Sequence, residues 1–152
     1  MEKIDSLKDP EKFLHFFKKS CQFDFENGMN LTIIKPGHIT YEMTILKKHL
    51  STPTNCHGGV VAGLMDATLG LAALSMAVTE GNICSTVELK LNYLNPVLLG
   101  DQLIGSGDID FKGKSLVVTN GSIKNMNKDI LVAKGMGTFN LYPMNKMKGF
   151  NE

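Results

Sequence analysis

Residues 57–79 read HGGVVAGLMDATLGLAALSMAVT, and this stretch decides the fold. From Gly58 to Thr79 the only formal charge is Asp66. Its length is about that of a membrane span. Against a span stand four glycines, Thr68, Ser75 and a carboxylate near the middle, which would cost roughly 2.5–3.5 kcal/mol in a bilayer. A helix apolar all round in a soluble chain is one enclosed by other protein. The pattern therefore predicts a buried central helix from about His57 to Thr79. It stops at Glu80-Gly81-Asn82, with Gly81 as C-terminal cap.

The flanks supply the enclosure. Upstream, Asp9-Pro10-Glu11 is a helix start, with Phe13, Phe16 and Phe17 at helical spacing and Lys18 and Lys19 at the end. After Glu26-Asn27-Gly28 the period changes to two. Met29, Leu31 and Ile33, then Ile39, Tyr41, Met43 and Ile45, form a hairpin about Lys35-Pro36-Gly37. Downstream, Val87, Leu89, Leu91 and Tyr93 alternate with Thr86, Glu88, Lys90 and Asn92, which places Glu88 and Lys90 on the Thr86 face. Leu103–Lys112, Ser115–Lys124 and Ile130–Leu141 read as three more strands, and residues 143–152 as a polar, frayed tail. The order predicts an α+β fold: a curved antiparallel sheet of about six strands wrapped around one long helix, with residues 1–27 a helical lead-in.

The chain has 152 residues, which fits one domain over 1–152. Sixteen lysines, no arginine and fifteen acids give a net charge of +1, too balanced for an electrostatic nucleic-acid binder. Phosphates on any ligand must meet lysines and backbone amides. Cys21, Cys56 and Cys84 form no CxxC pair, and MEKIDSLKDPEK lacks the apolar run of a signal peptide. A reduced, cytoplasmic setting with no membrane partner is expected.

Chemistry concentrates at the helix start. Two glycines there disfavour the helix by roughly 1 kcal/mol each relative to alanine. They serve either ligand approach to free backbone N–H groups at the positive dipole end, or close packing against a strand. Asp66 is the second clue. Enclosed in a helix it would be a sharpened base or nucleophile, or else a structural carboxylate bonded to a loop. It lies nine residues after His57, about 13 Å along the axis and about half a turn around it. The two cannot converge on one small group within one chain, so a shared site demands a dimer.

HGGVVAGLMDATLGLA, followed by STVELKLNYLNPVLLGD, resembles the hotdog-fold acyl-CoA thioesterases of the 4-hydroxybenzoyl-CoA thioesterase superfamily, in the phenylacetic-acid-degradation branch. The resemblance runs over nearly the whole chain. It implies a homodimer, often a dimer of dimers, pairing edge to edge and hydrolysing an acyl-CoA without cofactor or metal. It implies that the Gly58 N–H polarises the thioester carbonyl beside His57, that Asp66 of the other subunit is nucleophile or general base, and that Thr86 holds the attacking water. Gly59, Asn55, Ser51 and Ser85 stand as the expected substrate contacts. Two positions depart from the branch: Ser51 replaces its usual asparagine and Thr54 a common glycine, while His49 keeps its earlier histidine. A small aromatic or medium-chain acyl group is expected. The alternative is a non-catalytic acyl-CoA binding module on the same fold.

Other motifs carry less. Gly113-Lys114-Ser115 lacks the Walker spacing and follows a strand into a turn. Cys56 beside His57 is poorly placed as a nucleophile, since chain neighbours seldom face each other. His15, His38 and His49 have no metal-ligand spacing. The nine methionines pack the core or line an adaptable pocket.

Overall fold

The computed structural model describes residues 8–146. Helix α1 (Pro10–Ser20) starts where Asp9 accepts hydrogen bonds from the Glu11 and Lys12 N–H groups at 2.9 and 3.1 Å. A second short helix, α2 (Gln22–Asn27), ends at Gly28, whose φ of 64° supplies a left-handed cap. Strands β1 (Asn30–Lys35) and β2 (His38–Thr44) form the expected hairpin. Helix α3 (Gly58–Ala77) follows, then β3 (Asn82–Tyr93), β4 (Gln102–Lys112), β5 (Leu116–Asn125) and β6 (Ile130–Pro143).

The six strands form one sheet in the order β1-β2-β4-β5-β6-β3, every neighbouring pair antiparallel. Helix α3 lies in its concave face. Leu64, Met65, Leu69, Ala72 and Ala73 are fully buried there. Glycine on the strands lets the helix come close: a Cβ at Gly107 would stand 2.7 Å from the Thr68 carbonyl oxygen. This is the hotdog arrangement, with the sheet wrapped round one helix.

Four details differ from the sequence reading. Helix α3 is long and apolar enough to cross a membrane, yet it is not enclosed all round. Gly63, Asp66, Ala67, Gly70 and Leu74, spaced i, i+3, i+4, i+7 and i+11, remain half-exposed along one stripe. Helix α2 has no counterpart in the sequence reading. Its Phe23-Asp24-Phe25 alternates with period two, and long-range bonding holds it: buried Asp24 accepts a hydrogen bond from the Tyr41 hydroxyl. In β3 the register slips between Thr86 and Glu88, so Val87 is an extra residue, 62% exposed. This bulge puts Leu89 and Leu91 against the core and turns Glu88 and Lys90 to solvent, off the Thr86 face. Finally, the tail does not fray at Met144, which is buried and donates its N–H to the Gly81 carbonyl at 3.0 Å. Residues 1–7 of the lead-in and 147–152 of the tail lie outside the described residues.

Candidate active site

The start of α3 is built by His57. Its N–H donates to the His49 carbonyl at 2.8 Å, and its Nδ1 accepts from the Gly59 N–H at 2.8 Å, making the imidazole the N-cap. That bond assigns the neutral ring's proton to Nε2. A Cβ at Gly59 would stand 2.8 Å from His57 Nδ1, so this glycine serves close packing and its amide is already spent.

Gly58 is different. As the first helical residue it has no intrahelical acceptor for its N–H. It is exposed, and a Cβ there would meet nothing nearer than Tyr93 Oη at 3.5 Å. The Tyr93 hydroxyl donates to the Gly58 carbonyl at 2.9 Å and ties the end of β3 to the helix start. Of the two amides expected to face a ligand, Gly58 is the one left open.

Asp66 sits on the uncovered stripe, half-buried rather than enclosed. The Thr86 hydroxyl donates to its Oδ1 at 3.0 Å. The two side chains, with Ser85, line a cleft of about 360 Å³ between α3 and β3, walled on the far side by Phe23 and Asp24 of α2. Gly63 lies beneath Phe23: a Cβ there would come within 2.9 Å of the tip of the ring, which would have to shift. At the cleft wall, burial first and the Asp66 charge second push the Cys84 thiol up to about 12.

The chain does not bring its two chemical clusters together. Gly58 and Tyr93 line a separate hollow of about 270 Å³, and His57 and Gly59 a third of about 140 Å³ beside Phe23 and Met29. Ser51 and Asn55 belong to a loop closed on itself. The Ser51 N–H donates to the Asn55 carbonyl at 2.9 Å, and the Thr54 hydroxyl to Asn55 Oδ1 at 2.9 Å. Their side chains line neither the Asp66 cleft nor the Gly58 hollow. Burial, with Asp101 second, raises the Cys56 thiol to about 11, and its Sγ donates to the His57 carbonyl; it is no thiolate nucleophile.

Sequence reasoning missed Asp24, Phe23 and Tyr93 as site residues. Tyr93 had a signal, being the last residue of a strand that returns toward the helix start. Asp24 had none, since its place in the cleft depends on the distant Tyr41.

Fold and site define a hotdog-fold protein of the thioesterase kind. The sequence profile of the Thioesterase superfamily matches residues 54–130, and the chain belongs to that family. Human acyl-coenzyme A thioesterase 13 is 26% identical over 114 residues, covering 74% of this chain and 79% of the relative. Among solved structures, the PaaI protein of the Escherichia coli phenylacetic acid degradation operon superposes with a TM-score of 0.80 at 21% identity, covering 88% of this chain and 93% of that one. A Streptococcus pneumoniae protein described as a hypothetical thioesterase and solved with coenzyme A superposes with a TM-score of 0.71 at 22% identity, covering 86% and 97%.

Proposed function

We propose that this chain hydrolyses acyl-CoA thioesters to free coenzyme A and a carboxylic acid, at sites shared between two subunits. The observation that carries it is the pairing of Asp66 with Thr86 in an apolar cleft, far from the open Gly58 amide on the same helix. A rigid helix cannot fold these ends onto one carbonyl. A second copy, pairing along the free edge of β3 and laying its helix beside the first, would offer its Gly58 to the Asp66 cleft. The exposed side chains of Val87 and Tyr93 on that edge support such pairing. No nucleic acid enters this scheme, and a reduced cytoplasmic setting suits the three free cysteines.

In the proposed reaction the thioester oxygen accepts a hydrogen bond from the Gly58 N–H at the positive end of the helix dipole. Asp66 either takes a proton from a water held by Thr86 or attacks the carbonyl carbon itself. In the first route the C–S bond breaks as the water oxygen bonds to the carbonyl carbon, and the proton taken by Asp66 passes to the departing thiolate. In the second the thiolate leaves as an acyl–Asp66 anhydride forms. Water then cleaves that anhydride, giving the acid, a proton for the thiolate and the free Asp66 carboxylate. The names of the relatives and the coenzyme A held by the streptococcal structure support this substrate class.

The test is thiol release over acetyl-, phenylacetyl-, hydroxybenzoyl- and graded fatty acyl-CoAs, with sedimentation of the same preparation. Turnover that Asp66→Asn abolishes, in a dimer or larger assembly, is expected. Full turnover by a monomer, or by Asp66→Asn, would overturn it. Single turnover in H₂¹⁸O separates the routes, since only direct attack places label in Asp66.

A further inference from the structure

The cleft at Asp66 has a neighbour. Phe17, Cys21, Leu74 and Cys84 line both it and a second hollow of about 240 Å³ beneath α1. These four side chains form a waist between the two spaces. Beyond it the walls include Phe13, Phe16, Ile83 and Met144, with Phe13, Ile83 and Met144 in the buried core. Among the described residues no ionised side chain lines this inner hollow, and the thiols at the waist are neutral, burial being the first cause that raises both Cys21 and Cys84.

Resting on the thioesterase reading above, we infer that the inner hollow is an acyl-chain chamber, and that α1 with the waist makes the enzyme select uncharged, unbranched alkyl chains of medium length. In this reading the acyl chain leaves Asp66, passes Leu74 on α3 and Cys84 on β3, which line both spaces, and turns under α1. Only a flexible chain follows that bend. A short or arylacyl group ends in the outer cleft. The chamber volume equals that of about eight water-sized groups. Each methylene buried in it should tighten binding about fourfold. A terminal carboxylate would be excluded for want of any partner.

Ile83→Phe fills the chamber without touching Asp66, Thr86 or Gly58. It should lower kcat/KM for decanoyl-CoA about tenfold or more, the loss of roughly two buried methylenes, and leave acetyl- and phenylacetyl-CoA within about twofold. Phe16→Ala enlarges the same space and should move the optimum to longer chains, which keeps the inference testable should Ile83→Phe fail to fold. A folded Ile83→Phe that changes all acyl groups alike, or none, overturns it, as does an unmoved optimum in Phe16→Ala. Titration with non-hydrolysable S-alkyl-CoA thioethers separates the two proposals. Affinity that climbs with chain length while no thioester is cleaved supports the chamber and sinks the hydrolase. Hydrolysis with affinity flat from butyl to decyl does the reverse.

Discussion

The Thr86 hydroxyl donates to Asp66 Oδ1 at 3.0 Å, joining β3 to α3 across 20 residues of sequence. The bond holds the carboxylate in one orientation toward the cleft and leaves the threonine lone pairs to accept from water. Asp66→Asn should lower kcat about 10²–10⁴-fold with the circular dichroism unchanged. Thr86→Ala removes a hydrogen bond to a charged group, worth about 1.5–3 kcal/mol, and should cost roughly ten- to a hundredfold in kcat.

Gly58 and Gly59 are adjacent but should respond in opposite ways. Gly59→Ala forces its methyl against His57 Nδ1 and breaks the cap, costing about 0.5–2 kcal/mol in thermal or urea unfolding. Gly58→Ala meets only ordinary contact with Tyr93, so the fold should hold while the methyl crowds the open amide. Kinetics and melts measured side by side check the pair.

Buried His49 accepts the Leu46 N–H at Nδ1, and its Nε2 has no partner among the described residues. Burial, with Lys48 second, holds its pKa below the ordinary 6.5. The unfolded chain therefore binds a proton first. Stability should be full above pH 6.5 and decline as pH falls below it toward the folded value. His49→Asn keeps an acceptor near Nδ1 and should flatten this decline in urea titrations at pH 5–7.

Asp101 is nearly buried. Burial works against its charge, but the Leu98 amide, Lys128 and Asn125 outweigh that and hold the carboxyl below 3.8. Its stabilisation is present above pH 3.8 and is lost as pH falls through the lowered folded value. Asp101→Ala strands the Leu98 N–H and Lys128 and should cost about 1–3 kcal/mol at neutral pH. Urea unfolding at pH 7 measures it.

Val87 lies on the free edge of β3, 62% exposed. Val87→Lys should block edge pairing and yield monomers by sedimentation. Thiol release should disappear with the dimer, although Asp66 and Thr86 are untouched. A monomer with normal turnover would contradict the shared site.

The central helix was legible because 22 residues carry one charge and end at Gly81, whose φ of 74° provides the left-handed turn. The hairpin was legible because its apolar residues alternate about Gly37, at φ 86°. Helix α2 was not, because a period-two segment became helical through a tertiary bond from Tyr41 to Asp24. The bulge at Val87 was invisible too: Thr86-Val87-Glu88 reads as unbroken alternation, and only pairing with β6 reveals the extra residue. Asp66 and Thr86 were foreseen, and the structure hydrogen-bonds them. That Gly59 spends its amide on His57 depended on a side-chain rotamer, which residue spacing does not report.

The inserted Val87 solves a problem of parity. Thr86 and Tyr93 both reach α3, one at Asp66 and the other at Gly58, yet they are seven positions apart (93 − 86), an odd interval. In an unbroken strand odd intervals point to opposite sides. Drawing the valine into regular pairing, with all seven steps kept, would leave the ribbon able to serve one end of the helix but never both; removing it altogether makes the interval six and restores a common side.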